Sequence, residues 1–277
     1  MSRCVALLDV DHTLLMSDDS LNIDLVDSLL VHGIKHVFLF TDMTLHPPEI
    51  ENRNSLIKEL EEIGFAVHNV LTPNDLTWLD MDEVEAKQLH EWAFSAKLYT
   101  GKFYGPEFEA YVTSCSSDLP KMSEAIVAYR PERGAIGAGF SDACIEMHDT
   151  KTVSDNTRAR SIFAKVFADH LSEKVGYRHC KGLLLDLFLR HRPDWVGSIV
   201  VIDDNKDVVA DVTSFKPVST LPMAGTLPPV SVVAITPEGI RQGQSYYDVH
   251  LADHMARHRA AVAAAETATG RSTSEEL

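Results

Sequence analysis

Four consecutive apolar residues, Val5 to Leu8, run directly into two acids one residue apart, Asp9 and Asp11. A short unbroken apolar run reads as a strand buried on both faces, the kind found in a parallel sheet flanked by helices. In open α/β sheets, chemistry collects at the carboxyl ends of the strands, and there the two acids fall. Side chains at i and i+2 of an extended segment share a face, so Asp9 and Asp11 are expected in one small space. Two neighbouring carboxylates repel, and a cation or a shared proton between them relieves the repulsion. The plainer alternative is an Asp-rich turn that caps a helix, with Thr13 as a second polar cap.

The chain that follows alternates strand and helix. Ser20 is a plausible N-cap for a helix whose Leu25, Val26, Leu29 and Leu30 fall at helical spacing, and Gly33 stops it. A second strand, His36 to Phe40, ends at Thr41-Asp42. Only about twenty residues separate the two strand ends, room for one crossover helix and no inserted domain. Pro47-Pro48 opens the next helix, where proline is tolerated, with Leu56, Ile57, Leu60 and Ile63 as its inner face. Gly64 closes it, and Phe65 to Val70 reads as a third strand. This β-α-β-α-β series is the unit of a doubly wound parallel sheet.

From Thr72 to about Gly176 the pattern changes. Asp82 to Leu98 carries a helical stripe, Phe103 to Val112 is aromatic, and Gly134 to Gly139 reads as a flexible turn. Ser161 to Val175 is helical, with Ile162, Val166, Phe167 and Leu171 at core spacing. This stretch, 72–176, is read as an inserted, mostly helical cap after the third strand; 1–71 and 177–277 form the core domain. A chain of 277 residues is long enough for both. The core resumes with a helix from Lys181 to about Arg190, stopped by Pro193. A fourth strand, Ser198 to Ile202, ends in Asp203-Asp204, and a fifth spans Val230 to Ile235. Met255 to Thr267 is an alanine-rich helix before a polar tail.

The bulk numbers narrow the partners. The formal charge of −16 argues against nucleic acid or an anionic membrane as the main partner, so any attraction for an anionic ligand must be local. No apolar run approaches the roughly 18 residues of a membrane span. The first strand begins too early to leave room for a signal peptide, so a cytoplasmic protein is expected, with delivery to another cell left open. The four cysteines form no CxxC pair and no zinc spacing, so reduced thiols are expected. Cys180 stands beside Lys181, but a neighbouring cation alone rarely makes a nucleophile.

Four short motifs occur in order: Asp9-Val10-Asp11-His12-Thr13 after a strand, Thr41 after a strand, Lys181 at a helix start, and Asp203-Asp204 after a strand. Together they resemble the haloacid-dehalogenase-like (HAD) superfamily over residues 1–70 and about 176–235. The resemblance implies a HAD-like doubly wound parallel sheet, a Rossmann-like core with the first strand central. It implies Mg²⁺, held by an Asp9 carboxylate oxygen, the Asp11 backbone carbonyl and Asp204, with Asp203 in direct contact or close behind. Asp9 would then be the nucleophile that forms an aspartyl-phosphate, and Asp11 the general acid and base. Thr41 would hydrogen-bond the phosphoryl group, and Lys181 would offset its charge. Asp207 is a candidate outer acid, whereas Thr13 and Asp42 would hold loop geometry.

Each motif also has a plainer reading: Thr41 as a helix cap, Lys181 as a solvated helix residue, Asp203-Asp204-Asn205 as a turn. Asp11 separates the branches implied by the resemblance. Dehalogenases lack this second acid and pump ATPases carry Thr there, while mutases place a cap soon after the first motif. A phosphatase acting on a phosphate monoester is therefore expected. The alternatives are a phosphoprotein phosphatase that docks its substrate on the insertion, and a catalytically silent binding protein of this fold. Arg158 and Arg160 offer either forked cations to a second anionic group or a solvated helix face. The sequence names no substrate.

Overall fold

A computed structural model describes residues 2–78, 136–217 and 227–272. Within them the apolar runs become strands: β1 (Arg3–Leu8), β2 (His36–Phe40), β3 (Ala66–Leu71), β4 (Val196–Asp203) and β5 (Val230–Ala234). They form one all-parallel sheet in the order β3-β2-β1-β4-β5. The central position of β1 explains its sequence: Val5, Ala6, Leu7 and Leu8 are all fully buried. The chain winds outward from β1 to β3, then crosses back to β4 and winds outward again. The gap between β1 and β4 is thus the switch point of the sheet, where loops on the two sides part and leave a crevice.

The helices are α1 (Ile23–Val31), α2 (Pro47–Ile63), α3 (Ala138–Thr150), α4 (Asp155–Val175), α5 (Lys181–His191), α6 (Lys206–Thr213), α7 (Pro237–Gln242) and α8 (Gln244–Ser272). A 3₁₀ turn covers Pro73–Trp78. The described chain divides into two compact units: Met1–Thr41, Ile57–Asn69 and Leu189–Leu277 form the first, Asp42–Leu56 and Val70–Phe188 the second. The segment 72–176 read as a cap falls within the second. The helix at Asp82 to Leu98, the aromatic stretch at Phe103 to Val112 and the start of the glycine-rich turn lie outside the described residues. No helix among the described residues is long and apolar enough to cross a membrane.

Several ends differ from expectation. Asn22, not Ser20, caps α1, its side chain accepting the Leu25 N–H at 3.3 Å. Ser20 is instead held by Asp18 through its N–H and its hydroxyl, a local turn that competes with capping. The remainder of the supposed flexible turn is compact: Gly137 sits at φ 86° and α3 begins at the next residue. α4 starts six residues before Ser161, because Ser154 accepts the Thr157 N–H and opens the helix there. α8 begins at Gln244 and not at Met255.

The reason for the last difference is chemical. Tyr247, Leu251, His254 and His258 form the buried stripe of α8, and half of it is histidine. At the amino end of the sheet, Cys4 Sγ lies 3.1 Å from His254 Nε2. Ser198 Oγ lies 3.3 Å from the same nitrogen and 2.9 Å from His258 Nδ1. The Ser231 hydroxyl bonds His254 Nδ1. Burial pushes His254 down to about 4 and the Cys4 thiol up to about 11, so these groups meet as neutral partners. An apolar-period search misses such a stripe, since it is polar and satisfied within.

Candidate active site

Asp9 follows β1 directly, and its N–H donates to the Ile202 carbonyl at 3.0 Å, carrying the β1–β4 ladder one residue past Leu8. This places it beside Asp203, the last residue of β4, whose carbonyl accepts the Ile235 N–H at 2.9 Å. Both backbones are therefore pinned to neighbouring strands where their side chains emerge. Asp9 is 6% exposed and Asp203 fully buried, while Asp204 faces solvent. One carboxylate oxygen from each of the three lies within 4.8 Å of the others. Asp203 Oδ1 also accepts the Asn205 N–H at 2.8 Å, which orients this carboxylate. Asn205 in turn accepts the Asp207 N–H and caps α6.

Like charges so close are costly. At an effective dielectric of about 20, two ionised carboxylates 4 to 5 Å apart repel by roughly 3–4 kcal/mol. Oxygen-only donors in this arrangement suit a hard divalent cation and give a soft metal nothing to prefer.

The carboxylate of Asp11 is not in this group of three. Beyond Asp9 the chain curls: the Val10 carbonyl accepts N–H groups from Thr13, Leu14 and Leu15, and His12 adopts φ 62°. The extended geometry behind the i, i+2 expectation stops there, and Asp11 is exposed and bridged to Leu15. The metal contact read for Asp11 was through its backbone carbonyl, not its carboxylate. Thr13 is buried, and its carbonyl accepts the Asn22 side chain at 3.0 Å, tying the loop to the start of α1.

Thr41, 1% exposed, follows β2. Leu8 pairs with both Leu39 and Ile202. Asp9 is therefore level with Phe40 and Asp203, and Thr41 lies one residue further along the same sheet edge.

Lys181, the first residue of α5, belongs to the second unit and is 3% exposed. There Asp42 Oδ2 takes Lys165 Nζ at 3.3 Å and His179 Nε2 at 3.5 Å. The hydrogen bond from His179 holds the Asp42 carboxyl far below its ordinary range against the opposing effect of burial, with Lys165 and Lys181 adding to it. Burial pushes the neighbouring Cys180 thiol well above its ordinary value, which disfavours a thiolate. Asp207 and Arg158 are half-buried, and the Arg160 side chain lies outside the described residues. His179 and Lys165 escaped the sequence reading because His179 precedes a helix without a usual capping residue type and Lys165 lies inside a helix, away from any strand end.

Compared with family models, curated proteins and solved structures, the chain matches none.

Proposed function

We propose that this protein is a Mg²⁺-dependent phosphatase of the HAD type that hydrolyses a phosphate monoester through an aspartyl-phosphate on Asp9. The observation that carries this reading is the convergence of Asp9, Asp203 and Asp204 at the switch point of a parallel sheet. Those carboxylates and the Asp11 carbonyl would hold Mg²⁺, which when bound offsets negative charge on the phosphoryl group.

The steps fall to the chain's own residues. An Asp9 carboxylate oxygen attacks phosphorus, and the bond from phosphorus to the leaving oxygen breaks. Asp11 gives that oxygen a proton. Asp11 then takes a proton from water as the water oxygen attacks phosphorus, and the bond to Asp9 breaks. Inorganic phosphate leaves and both acids return to their starting states. The exposure of Asp11 suits a group that must reach both a leaving group and a water. Thr41, buried at the same sheet edge, is the hydrogen-bonding partner for the transferring group. Lys181 is assigned the offset of phosphoryl charge; its place at a helix start and its burial support that assignment.

The test is release of phosphate from an aryl phosphate, sugar phosphates, nucleotides and phosphopeptides at millimolar Mg²⁺. Turnover that stops in excess chelator and in Asp9→Asn supports the reading, and the preferred substrate decides between a small molecule and a phosphoprotein. No turnover on the whole panel, or full turnover in chelator, overturns it.

A further inference from the structure

We propose that His179 is a positioning residue: as a neutral imidazole it joins the first N–H of α5 to the Asp42 carboxylate and so sets where Lys181 stands. The inference rests on the phosphatase reading only in giving Lys181 a task.

The proton inventory fixes the arrangement. The Lys181 backbone N–H donates to His179 Nδ1 at 3.2 Å. A nitrogen that accepts carries no proton, so in a neutral ring the proton is on Nε2. That nitrogen faces Asp42 Oδ2 at 3.5 Å, an acceptor only, which completes a consistent chain. The same oxygen takes Lys165 from α4, so Asp42 is held from two elements at once. The first N–H groups of a helix have no partner inside it, and Ser, Thr, Asp or Asn usually supplies one. Here an imidazole does so, and through it a carboxylate.

The start of α5 has little freedom to move. A Cβ on Gly182 would come within 2.8 Å of the Tyr177 ring, so the helix backbone is pressed against that ring. Lys181 is nearly enclosed, and its direction therefore follows the backbone from which it springs. Among the described residues, the charged and titratable groups around His179 include Asp42, Lys165, Asp169, Cys180 and Lys181, with Arg178 before it in the chain. Protonating Nδ1 would turn the acceptor into a donor facing another donor and release the Lys181 N–H.

Three variants of the full chain test this: His179→Asn, which keeps a side-chain oxygen as acceptor but cannot titrate, His179→Phe, which keeps a ring and loses the acceptor, and Asp42→Asn, which removes the charge behind the imidazole. Nitrogen NMR of wild type near neutral pH should find Nε2 protonated and Nδ1 bare. Exchange of the Lys181 amide should quicken about tenfold or more in the Phe variant, as loss of one bond to a buried donor implies, and stay slow in the Asn variant. With an aryl phosphate, the Phe variant should raise KM and lower kcat, and the Asn variant, which restores the acceptor, should recover both. If His179→Phe does not fold, Asp42→Asn takes its place, with faster exchange at Lys181 as the expected result. A ring protonated on Nδ1, or unchanged exchange at Lys181 in both variants, overturns the proposal. A wild type without phosphatase activity overturns the functional reading instead, and the NMR and exchange results then still decide the role of His179.

Discussion

The two ends of one sheet are built on opposite electrostatic principles. β1 carries Cys4 near its start and Asp9 just past its end; β4 carries Ser198 and Asp203 in the same sense. Five residue steps along the strand, about 17 Å, separate each pair. At the amino end, a thiol, two hydroxyls and two imidazoles meet as neutral groups, each with a partner. At the carboxyl end, three carboxylates crowd together. The first arrangement docks α8 and stabilises the fold. The second sets like charges side by side, a cost that a bound cation would relieve. Between them lie Ile199 to Ile202, wholly buried, so the two ends share a rigid spacer and little else.

The contrast can be broken by substitution. The largest effect is expected from Asp9→Asn, which should take phosphate release below detection while leaving the melting temperature unchanged or higher, since one repelling charge is gone. A matching fall in stability, seen by calorimetry alongside the assay, would mean that the carboxylates serve the fold and not a reaction. Next comes His254→Leu, which fills the space but removes the imidazole that bonds the Ser231 hydroxyl and the Cys4 thiol, while Ser198 keeps His258. It should cost about 2–4 kcal/mol in urea unfolding, with the Mg²⁺ dependence of activity unmoved.

Acid should separate the two units. His254 lies below its ordinary 6.5, at about 4, so the unfolded chain binds the proton first. Its contribution is full above pH 6.5 and is lost as pH falls toward 4, on the order of 3 kcal/mol in the first unit. Asp75, in the second unit, is buried and its carboxylate oxygens accept the N–H groups of Thr72 and Gly137. Burial raises it to about 7, so there the folded chain binds the proton first, and stability grows as pH falls from 7 toward 4. Hydrogen exchange followed by region between pH 7 and 4 should show α8 loosening while the 3₁₀ turn tightens. Uniform loosening would show that these two groups do not dominate. The smallest effect is expected from Asn205→Ala: loss of the α6 cap should cost about 1 kcal/mol and leave the metal requirement within error of wild type.

Much of this was legible in the sequence because burial on both faces writes itself as unbroken apolar residues. His36 to Phe40 and the β1 run read correctly for that reason, and β4 extends its expected span by two residues before and one after. The neighbourhood of Asp9 and the fourth-strand acids was expected from the strand order that the resemblance implied, since strand ends alone do not say which strands are adjacent. The Asp9–Asp11 pairing on one face was an inference from extended geometry, and the turn that begins at Val10, between the two acids, ends that geometry too soon. α3 was invisible because glycines at its start resemble a loop, although Gly137 is the residue that lets the helix begin. The first eleven residues of α8 were invisible because its inner face is written partly in histidine, and His179 because an imidazole cap has no sequence pattern of its own.

The bond between Cys4 and His254 joins residues 250 apart. A ribosome adding 5–20 residues per second needs about 10–50 s to make that span. β1, the centre of the sheet, lacks β4 on one side until Asp203 has been made, and the helix that covers its amino end until His254 has followed. The earliest strand made is thus among the last to be completed, and its apolar face stays open while the rest of the chain is being translated. Slowing translation late in the message would lengthen that exposure, whereas a holdase chaperone present early would shield it.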